Sequence, residues 1–307
     1  MRLATFRHDG RVRTGVVDGD QVRPFAGDPT MLEIISAGVP AALEGALPLA
    51  DVRLLAPLQP TTLRDFVAFE EHVEGVRRSI DGSGGVPDAW YDAPTFYFTN
   101  PNRIYGPDDE VPFPAHSVNR DFELEVAAVA GPDGAIFGYT ILNDWSARDL
   151  QKREMQVNLG PAKGKDFASS LGPWIVTADE LERFKDSDGF LDLWCDVTVN
   201  GVEVGRDLLS NMGWTFETMI AYAGRDSRIV PGDVLGSGTV GNGGCLAELW
   251  GRNGRQDPPP LRDGDEVTLT VEGIGSLTNR IISGSKTETL PQARRRDPAS
   301  ARAERQH

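Results

Sequence analysis

Histidine and cysteine are scarce in this chain of 307 residues: four histidines stand at 8, 72, 116 and 307, and two cysteines at 195 and 245. Neither cysteine sits in a CxxC pair. That argues against a disulfide scaffold or a structural zinc site and fits a reducing cytosol. A histidine-based active site has few places to form. No stretch is apolar enough or long enough to span a bilayer, and the segment from Met1 to Gly10 is polar, without the apolar core of a leader. Positive charge is also short. The chain has 31 lysines and arginines against 46 aspartates and glutamates, a net −15. Such a chain is a poor non-specific ligand for nucleic acid or an anionic membrane. An anionic small molecule would need a local cationic pocket or a metal ion to draw it in. The glycine- and lysine-rich loop at 160–167 lacks the Walker spacing of a phosphate loop, and no solenoid repeat is present.

What the chain has is a strand-like run, Asp121-Phe122-Glu123-Leu124-Glu125-Val126. Side chains alternate across a strand, so Glu123 and Glu125 face one side, with Cα atoms roughly 6–7 Å apart. Two carboxylates aimed at one spot repel unless a cation or a shared proton intervenes. The apolar run after them predicts entry into a core, and a carboxylate pair at a core edge suits a hard cation. Taken alone, the same stretch also reads as an exposed edge strand with two solvated glutamates.

The rest of the chain predicts an α+β protein, mostly β. Residues 1–58 alternate short strands with turns, including a hairpin at Asp9-Gly10, and a short helix from Met31 is closed by Gly38. They form a small β-rich N-terminal domain without a reactive cluster. Prolines at 57 and 60 mark a boundary, so that 59–285 is the main domain. Apolar residues at 69, 73 and 76 have helical spacing, and His72 adjoins that stripe. Gly75, Gly82, Gly84 and Gly85 would let this helix and its loop move as a lid. A strand ends near Asp144, and Asp144 or Ser146 can cap the helix carrying Arg148 and Gln151. Glycine density at 236–244 lets backbone approach a ligand closely. Glu248 lies in an apolar run read as a strand, and a buried carboxylate there needs a partner. From residue 286 the chain is polar and read as a disordered tail.

Seven motifs, in order, resemble the fumarylacetoacetate hydrolase family across residues 60–283. They are Asp65-Phe66 with His72, Glu123-Leu124-Glu125, the run from Asn143 to Gln151, Gly164-Lys165, Gly236-Ser237-Gly238-Thr239, Ala247-Glu248-Leu249, and the run from Gly273 to Asn279. The resemblance implies a mixed β-roll catalytic domain, usually dimeric. It implies a divalent cation, magnesium or calcium with manganese a third candidate, held by Asp65, Glu123, Glu125 and Asp144. All-oxygen ligation fits such a cation better than zinc. By the same resemblance His72 is the general base, oriented by Glu248. Lys165, Arg148 and Gln151 stabilise negative charge, Thr239 contacts the substrate's carboxylate or keto end, and Tyr97 stands in for a substrate-binding tyrosine.

The implied reaction is hydrolytic cleavage of a C–C bond in a 1,3-diketo acid, a fumarylacetoacetate- or acylpyruvate-like small molecule, in a cytoplasmic homodimer. Val67 and Met155 stand where the family's tyrosines are expected, and no arginine follows His72 at the expected distance. The substrate grip therefore differs, and another 1,3-diketo or 2-keto acid is implied. Decarboxylation of a β-keto acid or isomerisation of an unsaturated 2-oxo-dioate is the rival within the family, and the expected His72–Glu248 pair favours hydrolysis. A non-catalytic, metal-dependent carboxylate-binding protein is the rival from another class.

Overall fold

The computed structural model describes residues 1–286 and 289–305. Its central element is the strand Leu124–Ala130, buried along its whole length. A strand covered on both faces needs apolar residues at every position rather than at alternate ones. Here Val126, Ala128 and Ala130 pack into one core, while Ala127 and Val129 pack into another on the opposite side.

That strand lies in a mixed sheet of twelve strands. Ile136–Asn143 and then Ser169–Thr177 extend the sheet on one side. On the other side come Val234–Gly236, Leu63–Phe66 running parallel to it, and Phe96–Thr99. The N-terminal strands Arg2–His8 and Arg11–Asp18 form the expected hairpin. Arg2–His8 also pairs with Ser169–Thr177, so the N-terminal unit continues the main sheet. The helix Met31–Ala37 begins with a capping box between Thr30 and Glu33, ends at Gly38, and buries Ile34 and Ile35 beneath the sheet.

A second sheet has the order Val202–Leu208, Trp194–Val199, Glu266–Val271, Gly275–Ser283 and Glu110–Phe113. Its Val197, Leu269 and Ile281 share a core with Val126 and Ala128 of the first sheet. The result is mostly β, as the sequence pattern predicted, in the mixed roll that the resemblance implies.

Several elements differ from their expected form. Leu246–Asn253, expected as a strand, is a helix ended by Gly254 in the left-handed region. Asp144 does not cap the helix Arg148–Met155, which begins at Ala147 without a side-chain cap. The expected strand from Asp121 breaks at Phe122–Glu123: Arg120–Asp121 pairs with Ser146–Ala147, and the long strand starts at Leu124. The tail read as disordered carries a helix, Pro298–Arg305, whose second residue Ala299 donates its N–H to Asp297. Residues 287, 288, 306 and 307 of that tail lie outside the described residues.

Candidate metal centre

Four carboxylates from separate segments meet at one end of the central strand. Asp65 comes from the parallel strand Leu63–Phe66, Glu123 from the residue before the central strand, Glu125 from its second position, and Asp144 from the residue after Ile136–Asn143. Each offers an oxygen, and these four oxygens lie within 4.8 Å of one another. All four residues are buried. Glu125 shares the face that carries Ala127 and Val129 further along, as the period of two demands, while Glu123 stands just before the strand and reaches the cluster from the kink.

The chain makes room for the cluster. A Cβ on Gly236 would stand 2.5 Å from Glu125 Oε2 and 3.2 Å from Asp65 Oδ1, so only glycine fits there. Gly238 donates its N–H to Glu125 Oε2 at 3.2 Å. Asn143 Oδ1 accepts the Glu123 N–H at 3.0 Å and fixes the kinked backbone.

Lys165 Nζ reaches Glu123 Oε2 at 2.5 Å and Asp144 Oδ2 at 2.7 Å. Burial alone would lower the lysine's pKa, but the Asp144 and Glu123 carboxylates outweigh it and raise it. Burial alone would raise Glu123; Lys165 and then Arg148 reverse that and hold it near 2. Lys165 neutralises only part of the cage. Burial, then Asp144 and Glu123, push Asp65 well above the ordinary carboxylate range. Burial, then Asp65 and Glu123, do the same to Glu125.

The residues fit a hard divalent cation. Asp65 Oδ1, Glu125 Oε1 and Asp144 Oδ1 are buried oxygens without a hydrogen-bond partner. Unpaired buried carboxylate oxygens are costly unless they ligate something, and an all-oxygen set of this kind suits magnesium, manganese or calcium.

His72 lies on the helix Glu70–Asp81 and is buried. Burial lowers its pKa to about 4 against the pull of Glu123, so the imidazole is neutral at physiological pH. Its Nδ1 faces Cys245 Sγ at 3.6 Å. The expected pairing with Glu248 is not the one the structure forms. The Glu248 carboxylate turns to Arg252 at 2.6 Å and to the Gly243 N–H at 3.2 Å. The change from strand to helix explains this, because it puts Arg252 one turn beyond Glu248 on the same face. Gly75 lets the two helices approach closely: a Cβ there would lie 2.4 Å from Glu248 Cγ. A cavity of about 330 Å³ opens beside His72 and is walled by Val67, Val76 and Trp90.

Arg148 grips Asp121 Oδ2 at 2.8 Å through both Nε and a terminal nitrogen, and Glu123 Oε1 at 2.7 Å. It also donates to Gln151 Oε1 at 3.1 Å. Tyr97 gives its hydroxyl to Asp144 Oδ2, which places it on the cage wall. Thr239 is buried with an unpartnered hydroxyl.

The sequence reading missed Asp121 as a working residue. Its carboxylate accepts the N–H groups of Leu246 and Ala247 at 2.8 and 3.0 Å, besides holding Arg148. No local signal marks this, since the partners lie more than a hundred residues downstream. Cys245 was missed because its partner His72 lies 173 residues upstream, and the role of Asn143 because it depends on the pairing of two segments 20 residues apart.

Residues 61–282 match the family model described as fumarylacetoacetate (FAA) hydrolase C-terminal, which is most of the chain. The chain belongs to the fumarylacetoacetate hydrolase family. Residues 1–57 match the Rv2993c-like N-terminal model. Protein Rv2993c of Mycobacterium tuberculosis is 30% identical over 299 residues, covering 93% of this chain and 100% of that protein. The fumarylacetoacetate hydrolase of Exiguobacterium antarcticum has a similar structure, with a TM-score of 0.73 at 26% identity over 92% of this chain and 100% of that one. A 5-carboxymethyl-2-hydroxymuconate delta-isomerase from Mycobacterium smegmatis superposes with a TM-score of 0.69 at 27% identity, over 92% of this chain and 100% of that one. Hydrolase and isomerase chemistry thus both occur among this family member's relatives. No helix among the described residues is long and apolar enough to cross a membrane.

Proposed function

We propose that this protein is a divalent-metal-dependent hydrolase that cleaves a C–C bond in a 1,3-diketo acid. The observation that carries the reading is the buried cage of Asp65, Glu123, Glu125 and Asp144 with Lys165 bonded across it and the neutral imidazole of His72 nearby. A bound cation would supply Lewis-acid polarisation of the substrate's oxygens. His72, neutral and shielded, takes the proton from the attacking water. Lys165 and Arg148, with Gln151, stabilise the tetrahedral oxyanion as it forms. Thr239 offers its unpaired hydroxyl to the substrate's carboxylate or keto end. Lys165 then stands near enough to the cage to return a proton to the leaving carbanion. Magnesium, manganese and calcium all suit the ligand set, and a cytosolic homodimer remains the setting that the family resemblance implies.

The position of Glu248 favours a second reading. Because the acid does not orient His72, isomerisation of an unsaturated 2-oxo-dioate or decarboxylation of a β-keto acid uses the same groups without activated water. Assays of acylpyruvates, fumarylacetoacetate and oxaloacetate with added metal, run in heavy-oxygen water, separate the two. Label in a product carboxylate supports hydrolysis; turnover that leaves no label there supports the second reading. His72→Ala with metal bound should reduce hydrolysis at least a hundredfold, on the order of a lost general base. Undiminished cleavage removes His72 from that role. Absence of metal-dependent turnover across the panel would favour a metal-dependent carboxylate-binding protein.

A further inference from the structure

We infer that Tyr97 is a positioning residue of the metal centre, an inference that rests on the divalent-metal reading above. Its hydroxyl turns Asp144 so that one oxygen alone is left for the cation, and this favours magnesium or manganese over calcium. Tyr97 lies on Phe96–Thr99, the last strand at one end of the large sheet. Its cross-strand partner on Leu63–Phe66 is Asp65. Residues directly opposite each other on neighbouring strands point to one face, with Cβ atoms roughly 5 Å apart. The phenol therefore stands on the side of Asp65. From there its hydroxyl donates to Asp144 Oδ2, which comes from another strand's end. One ring thus stands beside one ligand and bonds a second.

An end strand has one neighbour to pair with, so side chains supply the rest of its anchorage. Phe96 and Phe98 alternate with Tyr97 and face the other way. Phe96 packs on Phe66 with ring centroids 5.0 Å apart. The Arg64 guanidinium lies 4.9 Å from the centre of the Phe98 ring, and Asp233 holds that guanidinium at 3.1 Å in a buried pair. Fastened on that face, the strand holds the phenol in place on the other.

Asp144 is engaged on one oxygen and bare on the other. Oδ2 takes the Tyr97 hydroxyl and, at 2.7 Å, the Lys165 ammonium, while Oδ1 has no hydrogen-bond partner. Glu125 repeats the pattern: Oε2 takes the Gly238 N–H, and Oε1 is unpartnered. A carboxylate whose second oxygen is engaged offers a cation one bond rather than two. Calcium takes about six to eight oxygens and accepts bidentate carboxylates, whereas magnesium holds to octahedral geometry and keeps several waters. Carboxylates limited to one oxygen each therefore suit the smaller ion. Lys165 is shared with Glu123, whereas the Tyr97 hydroxyl serves Asp144 alone among the described residues. Tyr97 is thus the group that fixes which oxygen Asp144 presents.

The test uses the full chain stripped of metal by chelator. Manganese is titrated in, its free-ion EPR signal gives Kd, and magnesium and calcium are read by competition against it. Wild type should hold magnesium more tightly than calcium. Y97F keeps the ring and removes the hydroxyl. It should raise Kd for magnesium and manganese about ten- to a hundredfold, the usual cost of losing a group that orients a ligand. Calcium should lose less, because Asp144 regains its second oxygen. F98L is the control: an exposed ring on the opposite face, whose loss should lower Tm and leave all three constants unchanged. A wild-type preference for calcium, unchanged constants in Y97F, an equal rise for all three ions, or a rise in F98L as large as that in Y97F overturns the inference. The wild-type ranking tests it even where the variant does not fold. A Y97F enzyme that keeps its metal constants and raises only KM for an acylpyruvate places the phenol on the substrate instead. If wild type takes up none of the three ions, the metal reading has failed and the inference with it; the other failures leave wild-type uptake intact.

Discussion

His72 Nδ1 lies 3.6 Å from Cys245 Sγ, and the same sulfur accepts the Glu248 N–H at 3.4 Å. Cys245 occupies the N-cap of Leu246–Asn253, a position where serine, threonine or aspartate is usual. Burial, then the charge of Asp121, raise the thiol's pKa and keep it protonated. The thiol thus caps a helix and steadies the imidazole at once. Cys245→Ala should lower turnover about fivefold, the worth of one hydrogen bond of ~1 kcal/mol. Cys245→Ser should restore most of the loss, because a hydroxyl serves both contacts. Equal losses in the two variants would mean that packing, not orientation, is what the sulfur supplies.

Asp121 links the Arg148 guanidinium to the first N–H groups of Leu246–Asn253. Breaking a buried pair leaves the other charge uncompensated, at a cost of about 3 kcal/mol or more. Asp121→Asn should therefore lower Tm by several degrees. It should also lower kcat, because Arg148 loses the partner that aims it at Glu123. A variant that melts as wild type does while losing activity would show that the contact serves catalysis alone.

The site was legible where its geometry is local. Glu123 and Glu125 are two apart, and the sequence predicted their convergence, although the strand starts only at Leu124 and a kink delivers Glu123. Asp65, Asp144 and Lys165 came through the family resemblance, and the structure brings them to the same place. Sequence patterns failed where distant contacts decide. Ser169–Thr177 holds Gly172 and Pro173, residues unusual inside a strand. In the folded chain the register against Ile136–Asn143 shifts there, and the irregularity accommodates the missing N–H. Leu246-Ala247-Glu248-Leu249-Trp250 fits either period over five residues. Capping by Cys245 and support from Asp121, neither visible locally, make it a helix.

Metal binding has a signature independent of turnover. Asp65, Glu125 and Asp144 each leave an oxygen without a hydrogen bond, so a ligating cation should stabilise the folded state. At a hundred times its Kd the expected gain is about 2.7 kcal/mol. Magnesium or manganese should raise Tm, and a chelator should reverse the rise. Asp65→Asn replaces an anionic ligand with a neutral amide and removes an acid whose ionised form burial and its neighbours disfavour. This variant should melt above wild type in chelator yet gain little from added metal. An Asp65→Asn protein with a full metal-induced shift would place the cation elsewhere.

Glu248 and His72 load the folded state with opposite pH dependences. Burial raises Glu248 to about 7 against the pull of Arg252. The folded chain then binds more protons than the unfolded chain between the unfolded value of about 4.5 and pH 7. Glu248's contribution is complete below that window and is lost as pH rises through it. His72, lowered to about 4, has the reverse sign: its contribution is complete above about 6.5 and is lost as pH falls toward 4. The two slopes oppose each other across most of the range from 4.5 to 6.5. Glu248→Gln keeps the shape and removes the titration. Arg252 retains contacts to Asn242 and Glu71, so it is not stranded. Relative to wild type, the variant should therefore gain stability as pH rises from 5 to 8, by up to about 3 kcal/mol for a shift of this size. Denaturant titrations of both proteins at pH 5, 6, 7 and 8 read the difference directly. A constant offset across that range would show that Glu248 stays ionised throughout, held so by Arg252 and the Gly243 N–H.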